Sequence, residues 1–211
     1  MPTREPIVHV VDDEAAIRDS LAMLLRSVGL ASRTWASAPE FLAGYTAGGP
    51  ACLIVDVRMP GMSGLELQEA LRARGDALPV VIITGHGDVS MAVRAMKNGA
   101  ADFLEKPFND QTLLDTVHRA LAASFAAAAG DADAPAADRA AVVARLETLT
   151  PRERVVMALV AEGRPNKVVA TRLGLSTRTV EVHRAKVMEK LGARSLADLV
   201  RMAIAAEVLR P

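Results

Sequence analysis

The sequence predicts a two-part molecule: a five-stranded parallel α/β sheet with helices on both faces, joined to a compact all-α unit. Three observations predict it. Short β-branched runs alternate with helical patterns over the first 125 residues. An Ala-rich stretch, "AAAAGDADAPAAD" (126–138), then interrupts the pattern, with Gly130 and Pro135 breaking any continuous helix. Beyond residue 148 the chain reads as helix after helix, joined by loops too short for anything but close packing.

Each element follows from local composition. "IVHVV" (7–11), "CLIVD" (52–56) and "VVIIT" (80–84) are continuous apolar runs of the kind buried on both sides in a parallel sheet. "ASRTW" (31–35) and "ADFLE" (101–105) are weaker strand signals. Ile17, Leu21, Leu24 and Val28 keep a helical period, as do Val89, Ala92, Val93 and Met96. Residues 111–129 form the last helix before the Ala-rich stretch. In the tail, "LTPRE" opens a helix with Thr150 as N-cap, Pro151 in the first turn and Glu153 reaching back, a capping box. A second helix runs from about Asn166 to Leu173 and stops at Gly174. Ser176 caps a third, ending before Gly192, and Ser195 caps a fourth, with Asp198 three residues on.

Composition narrows the function classes. The single cysteine, Cys52, excludes an internal disulfide and suits a reducing compartment. "MPTREPIVHVVDDE" reaches acidic residues too soon for a signal peptide, and no apolar stretch approaches the ~20 residues of a membrane span. A cytoplasmic protein with no membrane partner is expected. The formal net charge of zero conceals an asymmetry. Residues 1–124 carry 11 basic against 15 acidic side chains, a net of −4, and 125–147 carry 2 against 4, a net of −2. Residues 148–211 carry 12 against 6, a net of +6. An acidic front and a basic back point to different partners, nucleic acid for the second.

The strand ends carry the chemistry. The first strand runs into Asp12 and Asp13, the third ends at Asp56, the fourth at Thr84, and Lys106 follows the fifth just before Pro107. Singly, each has an ordinary role: Asp12 and Asp13 as helix caps, Asp56 as a turn residue before Pro60-Gly61, Thr84 as a strand residue, Lys106 as a solvated charge. Together they fall at the carboxyl edge of one sheet, where such folds place their sites. Three gathered carboxylates repel one another unless a cation offsets them, and oxygen-only ligands suit Mg²⁺. A hydroxyl and an ammonium beside them can hold phosphoryl oxygens while a carboxylate attacks a phosphoryl donor.

"VVDDE", "LIVDVRMPGMSGLEL", "VVIITGHGD" and "AADFLEKPF" resemble, in order and spacing, the receiver domain of two-component response regulators, whose fold is flavodoxin-like. The resemblance implies Asp56 as phospho-acceptor and a Mg²⁺ ion held by Asp13, Asp56 and the Arg58 backbone carbonyl, with Asp12 acting mainly through water. It implies that Lys106 pairs with the acceptor and is joined to Pro107 by a cis bond. It also implies Thr84 as the hydroxyl switch, coupled to the aromatic Phe103. Arg58 and His86 are expected to tune the phosphoryl lifetime. An added phosphoryl group supplies charge and three acceptor oxygens at one point, enough to favour one of two arrangements.

The third tail helix, "STRTVEVHRAKVMEKL" (176–191), has two faces. Val180, Val187 and Leu191 mark one, with Arg184 and Met188 at its edges; Arg178, Glu181, Val182 and Ala185 lie on another. A short capped helix, a tight "GLS" turn and a second helix in a basic unit read as a helix-turn-helix, whose second helix enters the major groove. Residues 148–211 resemble the LuxR-type helix-turn-helix domain, specifically its FixJ branch. By that resemblance Glu181, Val182 and Ala185 face bases. A carboxylate can accept from cytosine N4, and a valine can touch a thymine methyl. Arg178, Thr179, His183, Lys186, Lys190 and Lys167 are phosphate candidates. The fourth helix, with Leu196, Leu199, Val200 and Ala203 on one side, is either the dimerisation helix or simply core packing. Pro165 and Val168 depart from the family's usual Ser/Thr and Glu.

The expected organisation is a receiver over 1–125, an Ala-rich linker over 126–147 and the DNA-binding domain over 148–211. The resemblance implies a sensor histidine kinase, promoter DNA, a homodimer on phosphorylation, and RNA polymerase as partners. A DNA-binding regulator with a receiver that is only a scaffold is the alternative. Enzymes on similar sheets fit poorly. A dehalogenase-type phosphatase wants a second Asp two residues after the nucleophile, where Arg58 stands. A flavin binder wants a Gly/Ser/Thr-rich loop where this chain has Asp12-Asp13-Glu14. Beyond slow self-dephosphorylation, no turnover of a free substrate is expected.

Overall fold

The computed structural model describes residues 5–85, 89–129 and 142–205, which divide into two compact units, 5–85 with 98–129 and 89–97 with 142–205. The first is built on five parallel strands: β1 (Ile7–Val11), β2 (Ala31–Trp35), β3 (Ala51–Asp56), β4 (Val80–Thr84) and β5 (Asp102–Glu105), in the spatial order β2-β1-β3-β4-β5. The order reverses between β1 and β3, the switch point beside which doubly wound sheets build their sites. Every residue of β3 and β4 is buried, as their apolar runs predict, whereas β2 is an edge strand with only Trp35 fully buried. Its outward residues need not be apolar, and this is why its sequence signal is weak.

Helices α1 (Ala15–Ser27) and α5 (Asp110–Ala129) cover one face. There Leu21, Leu25, Leu113, Val117 and Leu121 meet Val8, Val10, Cys52, Ile54, Val81 and Ile83 in one apolar core. Helices α2 (Ala38–Gly44) and α3 (Gly64–Ala73) follow β2 and β3, bounds that strand-helix alternation implies but does not locate. Phe41 of α2 packs edge-on to His9 of β1, so α2 lies on the second face. Helix α4 (Val89–Lys97) lies between β4 and β5 in the chain; of its predicted periodic residues Ala92, Val93 and Met96 are buried and Val89 is half-buried.

The Ala-rich stretch 126–147 begins inside α5 and ends in a helical segment over 142–147, whose Leu146 joins the core of the helical unit; residues 130–141 lie outside the described set. That unit contains α6 (Pro151–Ala161), α7 (Asn166–Leu173), α8 (Thr177–Leu191) and α9 (Leu196–Ala205). Val156, Val160, Val169, Val180, Val187, Leu191, Leu199 and Ala203 form its core. The capping box of α6 is complete, with Glu153 N bound to Thr150 Oγ1 and Thr150 N bound to Glu153 Oε2. Gly174 (φ 63°) and Gly192 (φ 66°) close α7 and α8 in the left-handed conformation that glycine adopts without steric cost.

Candidate functional site

Strand register assembles the acidic site. Val11 pairs with Val55, so Asp12 and Asp56 emerge level with each other; Asp56 pairs with Ile83 and Thr84 with Glu105, which brings Thr84 and Lys106 one step beyond. Asp12 and Asp56 are buried, 1% and 7% exposed, and Thr84 is wholly buried. Lys106 reaches back across the edge: its Nζ donates to Asp56 Oδ1 at 2.8 Å and to Asp12 Oδ2 at 3.1 Å. Its partial burial works to lower its pKa, but the hydrogen bonds and charges of Asp56 and Asp12 prevail and hold it above the ordinary lysine value. The ammonium is therefore permanent, and it offsets charge between two carboxylates that would otherwise repel. The Lys106–Pro107 bond is cis.

Other groups fix the acceptor. Arg58 N donates to Asp56 Oδ2 at 2.6 Å. Asp12 Oδ1 accepts from Glu14 N at 2.9 Å, so Asp12 fills the ordinary turn role of an aspartate before a helix as well as its place in the site. Asp13 is exposed, as is Arg58. Phe103 is buried on β5, two positions before Glu105, which pairs with Thr84; both side chains thus lie on the same face of neighbouring strands. His86 lies outside the described residues.

Among the described residues no three acidic, imidazole or thiol side chains converge closely enough to hold a metal ion by themselves. Lys106 bridges two of the carboxylates, and the third, Asp13, is solvent-exposed. The chemistry of the donors nonetheless fits Mg²⁺, because Asp12, Asp13, Asp56 and the Arg58 carbonyl offer only hard oxygens and Mg²⁺ keeps several waters of its own.

Two residues of this site are absent from the sequence reading. An ideal Cβ at Gly64 would lie 2.3 Å from the Asp56 carbonyl oxygen, so only glycine lets α3 start directly against the acceptor's backbone. Its neighbour Ser63 forms a capping box with Glu66, a spacing readable in "SGLE". Arg18 Nη1 donates to the Asp12 carbonyl at 2.7 Å, a contact across a helical turn that no motif announces.

In the helical unit, α8 presents the two faces predicted for it. Val180, Val187 and Leu191 are fully buried, while Arg178, Glu181, Val182, Ala185 and Lys186 are exposed, together with Lys167 of α7. Thr179 and His183 are half-buried, and His183 Nδ1 is buried with no hydrogen-bond partner among the described residues. Burial lowers the pKa of the neighbouring Arg184. Arg178 Nη1 lies 3.5 Å from Glu181 Oε2, a pair one helical turn apart. Ser176 caps the helix by accepting from Thr179 N at 3.0 Å.

Lys190, one of the phosphate candidates, is engaged within the protein. Its Nζ lies 2.6 Å from Glu153 Oε2 and 3.3 Å from the Thr148 carbonyl, so it ties the end of α8 to the start of α6. The Lys190 hydrogen bond, followed by the Thr150 backbone N–H, draws the Glu153 carboxyl down to about 2. The capping box carries Glu153 inward, where it is 3% exposed, and a carboxylate so placed requires a cation. Pro165 gives α7 no side-chain cap, in keeping with its departure from Ser or Thr. Leu199 and Ala203 of α9 are core residues, which meets the packing alternative for that helix at these two positions.

Residues 8–118 match the family described as response regulator receiver domain, and residues 147–203 match bacterial regulatory proteins of the luxR family. The chain is 51% identical, over 92% of its length and 98% of that protein, to the C4-dicarboxylate transport transcriptional regulatory protein DctR of Rhodobacter capsulatus. It is 50% identical to the transcriptional regulatory protein FixJ of Azorhizobium caulinodans, over 99% of this chain and 96% of the other. Among solved structures it is similar to full-length FixJ from B. japonicum (TM-score 0.51, 42% identity, 99% of this chain and all of that one). The response regulator StyR gives a TM-score of 0.58 at 42% identity, covering 95% of this chain and 98% of that one.

Proposed function

Because the chain belongs to the response-regulator family, with a receiver domain and a LuxR-type DNA-binding domain, we propose that phosphoryl transfer to Asp56 controls its binding to promoter DNA. The donor is the phosphohistidine of a sensor histidine kinase. One Asp56 carboxylate oxygen attacks phosphorus, an O–P bond forms, and the N–P bond breaks with its electron pair returning to the imidazole. The single observation that carries this reading is Lys106, whose ammonium joins Asp56 to Asp12 at the sheet edge.

This chain's residues divide the work. Lys106 stays protonated and transfers its hydrogen bonds from the carboxylate to the phosphoryl oxygens. Asp13, Asp56 and the Arg58 carbonyl would hold Mg²⁺, with Asp12 through water, and the ion supplies charge neutralisation for the phosphoryl group. Thr84 binds a phosphoryl oxygen, Phe103 follows it, and the phosphorylated receivers pair as a homodimer. Glu181, Val182 and Ala185 then read bases in the major groove while Arg178, Thr179, His183, Lys186 and Lys167 hold phosphates. Lys190 is assigned to holding α8 on α6. RNA polymerase is the further partner, and the cytoplasm is the working compartment; no helix among the described residues is long and apolar enough to cross a membrane. The chain is a stoichiometric acceptor rather than a catalyst of free-substrate turnover, and the receiver spans 1–125 with the linker and DNA-binding domain after it.

Asp56→Asn removes the nucleophile and keeps the shape. Incubated with acetyl phosphate and Mg²⁺, it should take no label and remain monomeric; labelling and dimerisation at the wild-type level would overturn the mechanism. The alternative is a receiver that serves only as a scaffold for the DNA-binding domain. A Mg²⁺ titration followed by the emission of Trp35, the chain's one tryptophan, separates the two, because a scaffold receiver gives no saturable response.

A further inference from the structure

We propose that a cavity at the amino-terminal edge of the sheet, opposite the Asp56 site, binds a small organic monocarboxylate with a flat apolar body. The cavity has a volume of about 350 Å³ and opens between β1, β2 and the loop after α2. That is the lower end of the range for small-molecule sites, suited to a ligand of about one aromatic ring. Ile7, Tyr45, Pro50 and Ala51 supply its apolar wall.

Its polar groups are mostly donors. His9 is 6% exposed and lines the cavity from β1. Its Nδ1 accepts from Trp35 Nε1 at 3.2 Å, which leaves the imidazole proton on Nε2. Burial, then the charge of Arg33, lowers this histidine to about 4, so it is a neutral donor at physiological pH. No hydrogen bond from Nε2 is formed among the described residues, so this donor is available on a side chain that lines the cavity. Arg33, the second donor, has its guanidinium 4.0 Å from the centre of the Trp35 ring and forms no ion pair among the described residues. Stacking on the indole holds the planar fork in place, ready for two parallel hydrogen bonds to a carboxylate. Gly44 makes room for this arrangement, since a Cβ there would lie 2.5 Å from the Trp35 ring.

Tyr45 is not available as a further donor, because its hydroxyl is 3.4 Å from Asp76 Oδ1. Glu5 is the one acid in the lining, and it opposes a second negative charge on the ligand. One guanidinium, one neutral N–H and one disfavouring carboxylate therefore select a monoanion over a dianion.

The test uses the purified full chain with benzoate as probe, benzyl alcohol as the matched neutral compound and phthalate as the dianion. Trp35 is the chain's only indole and touches both donors, so its emission reports this cavity directly. Benzoate should give a saturable change in emission, with phthalate and benzyl alcohol each about tenfold weaker or worse. Arg33→Ala, a change at an exposed residue, should weaken benzoate about tenfold, and His9→Phe should weaken it with the melting transition still cooperative. Asp56→Asn should bind benzoate like wild type, which separates this site from the phosphoryl site. No saturable response to benzoate, equal response to benzyl alcohol, or unchanged binding by Arg33→Ala would overturn the proposal.

Discussion

At Asp56 the close approach of Gly64 makes one substitution diagnostic. Gly64→Ala forces the start of α3 off the acceptor's carbonyl, and overpacking of this kind costs about 1–3 kcal/mol. Urea denaturation should show that loss, with slower labelling by acetyl phosphate; a variant as stable as wild type would remove Gly64 from the site. His9 yields a second prediction. Its pKa is 6.5 in an unfolded chain and about 4 in the fold, so the unfolded state binds the extra proton between those values. Stability linked to His9 is thus fully present above pH 6.5 and falls as pH drops toward 4. His9→Phe should remove that part of the pH dependence when unfolding is followed by Trp35 emission. Of these two residues neither was legible. Histidine in "IVHVV" reads as a strand residue, and its neutrality follows only from burial beside Arg33.

Helix ends and helix contacts determine how α8 is presented. Ser176→Ala removes the cap of that helix and should cost about 1 kcal/mol of the helical unit's stability, with weaker DNA binding. Lys186 and Lys190 separate two kinds of lysine on one helix. Lys186→Ala should reduce the slope of log affinity against log salt by about one phosphate contact. Lys190→Ala should leave that slope unchanged and lower the melting temperature instead, because its partner is Glu153. The Glu153 carboxyl lies at about 2 in the fold against an ordinary 4.5, so its contribution is complete above pH 4.5 and is lost as pH falls toward 2. Glu153→Gln should flatten the acid side of the stability profile of the helical unit, measured by circular dichroism. The capping box at Thr150 was readable from spacing, and so were the faces of α8. The Lys190 contact was not, since Glu153 and Lys190 are 37 residues apart and meet only when α6 packs on α8.

For the whole molecule, phosphorylation should convert charge asymmetry into paired DNA binding. With beryllofluoride and Mg²⁺, size-exclusion chromatography should show a dimer, and footprinting should show two half-sites related by a two-fold axis. A monomer that binds DNA equally well with and without beryllofluoride would favour the scaffold reading. The sequence by itself determined the two-unit plan, the five strands, the helix caps and the identity of Asp12, Asp13, Asp56, Thr84 and Lys106 as strand-end residues. These follow from periodicity and short-range spacing, which are local properties. The tertiary structure alone decided which strands are neighbours and hence which strand ends meet. It also decided that Lys106 lies between Asp12 and Asp56, that Gly64 abuts Asp56, and that Lys190 turns to Glu153. The reason is physical: the cost of burying a charge, or of a Cβ against a carbonyl, exists only after distant segments pack together.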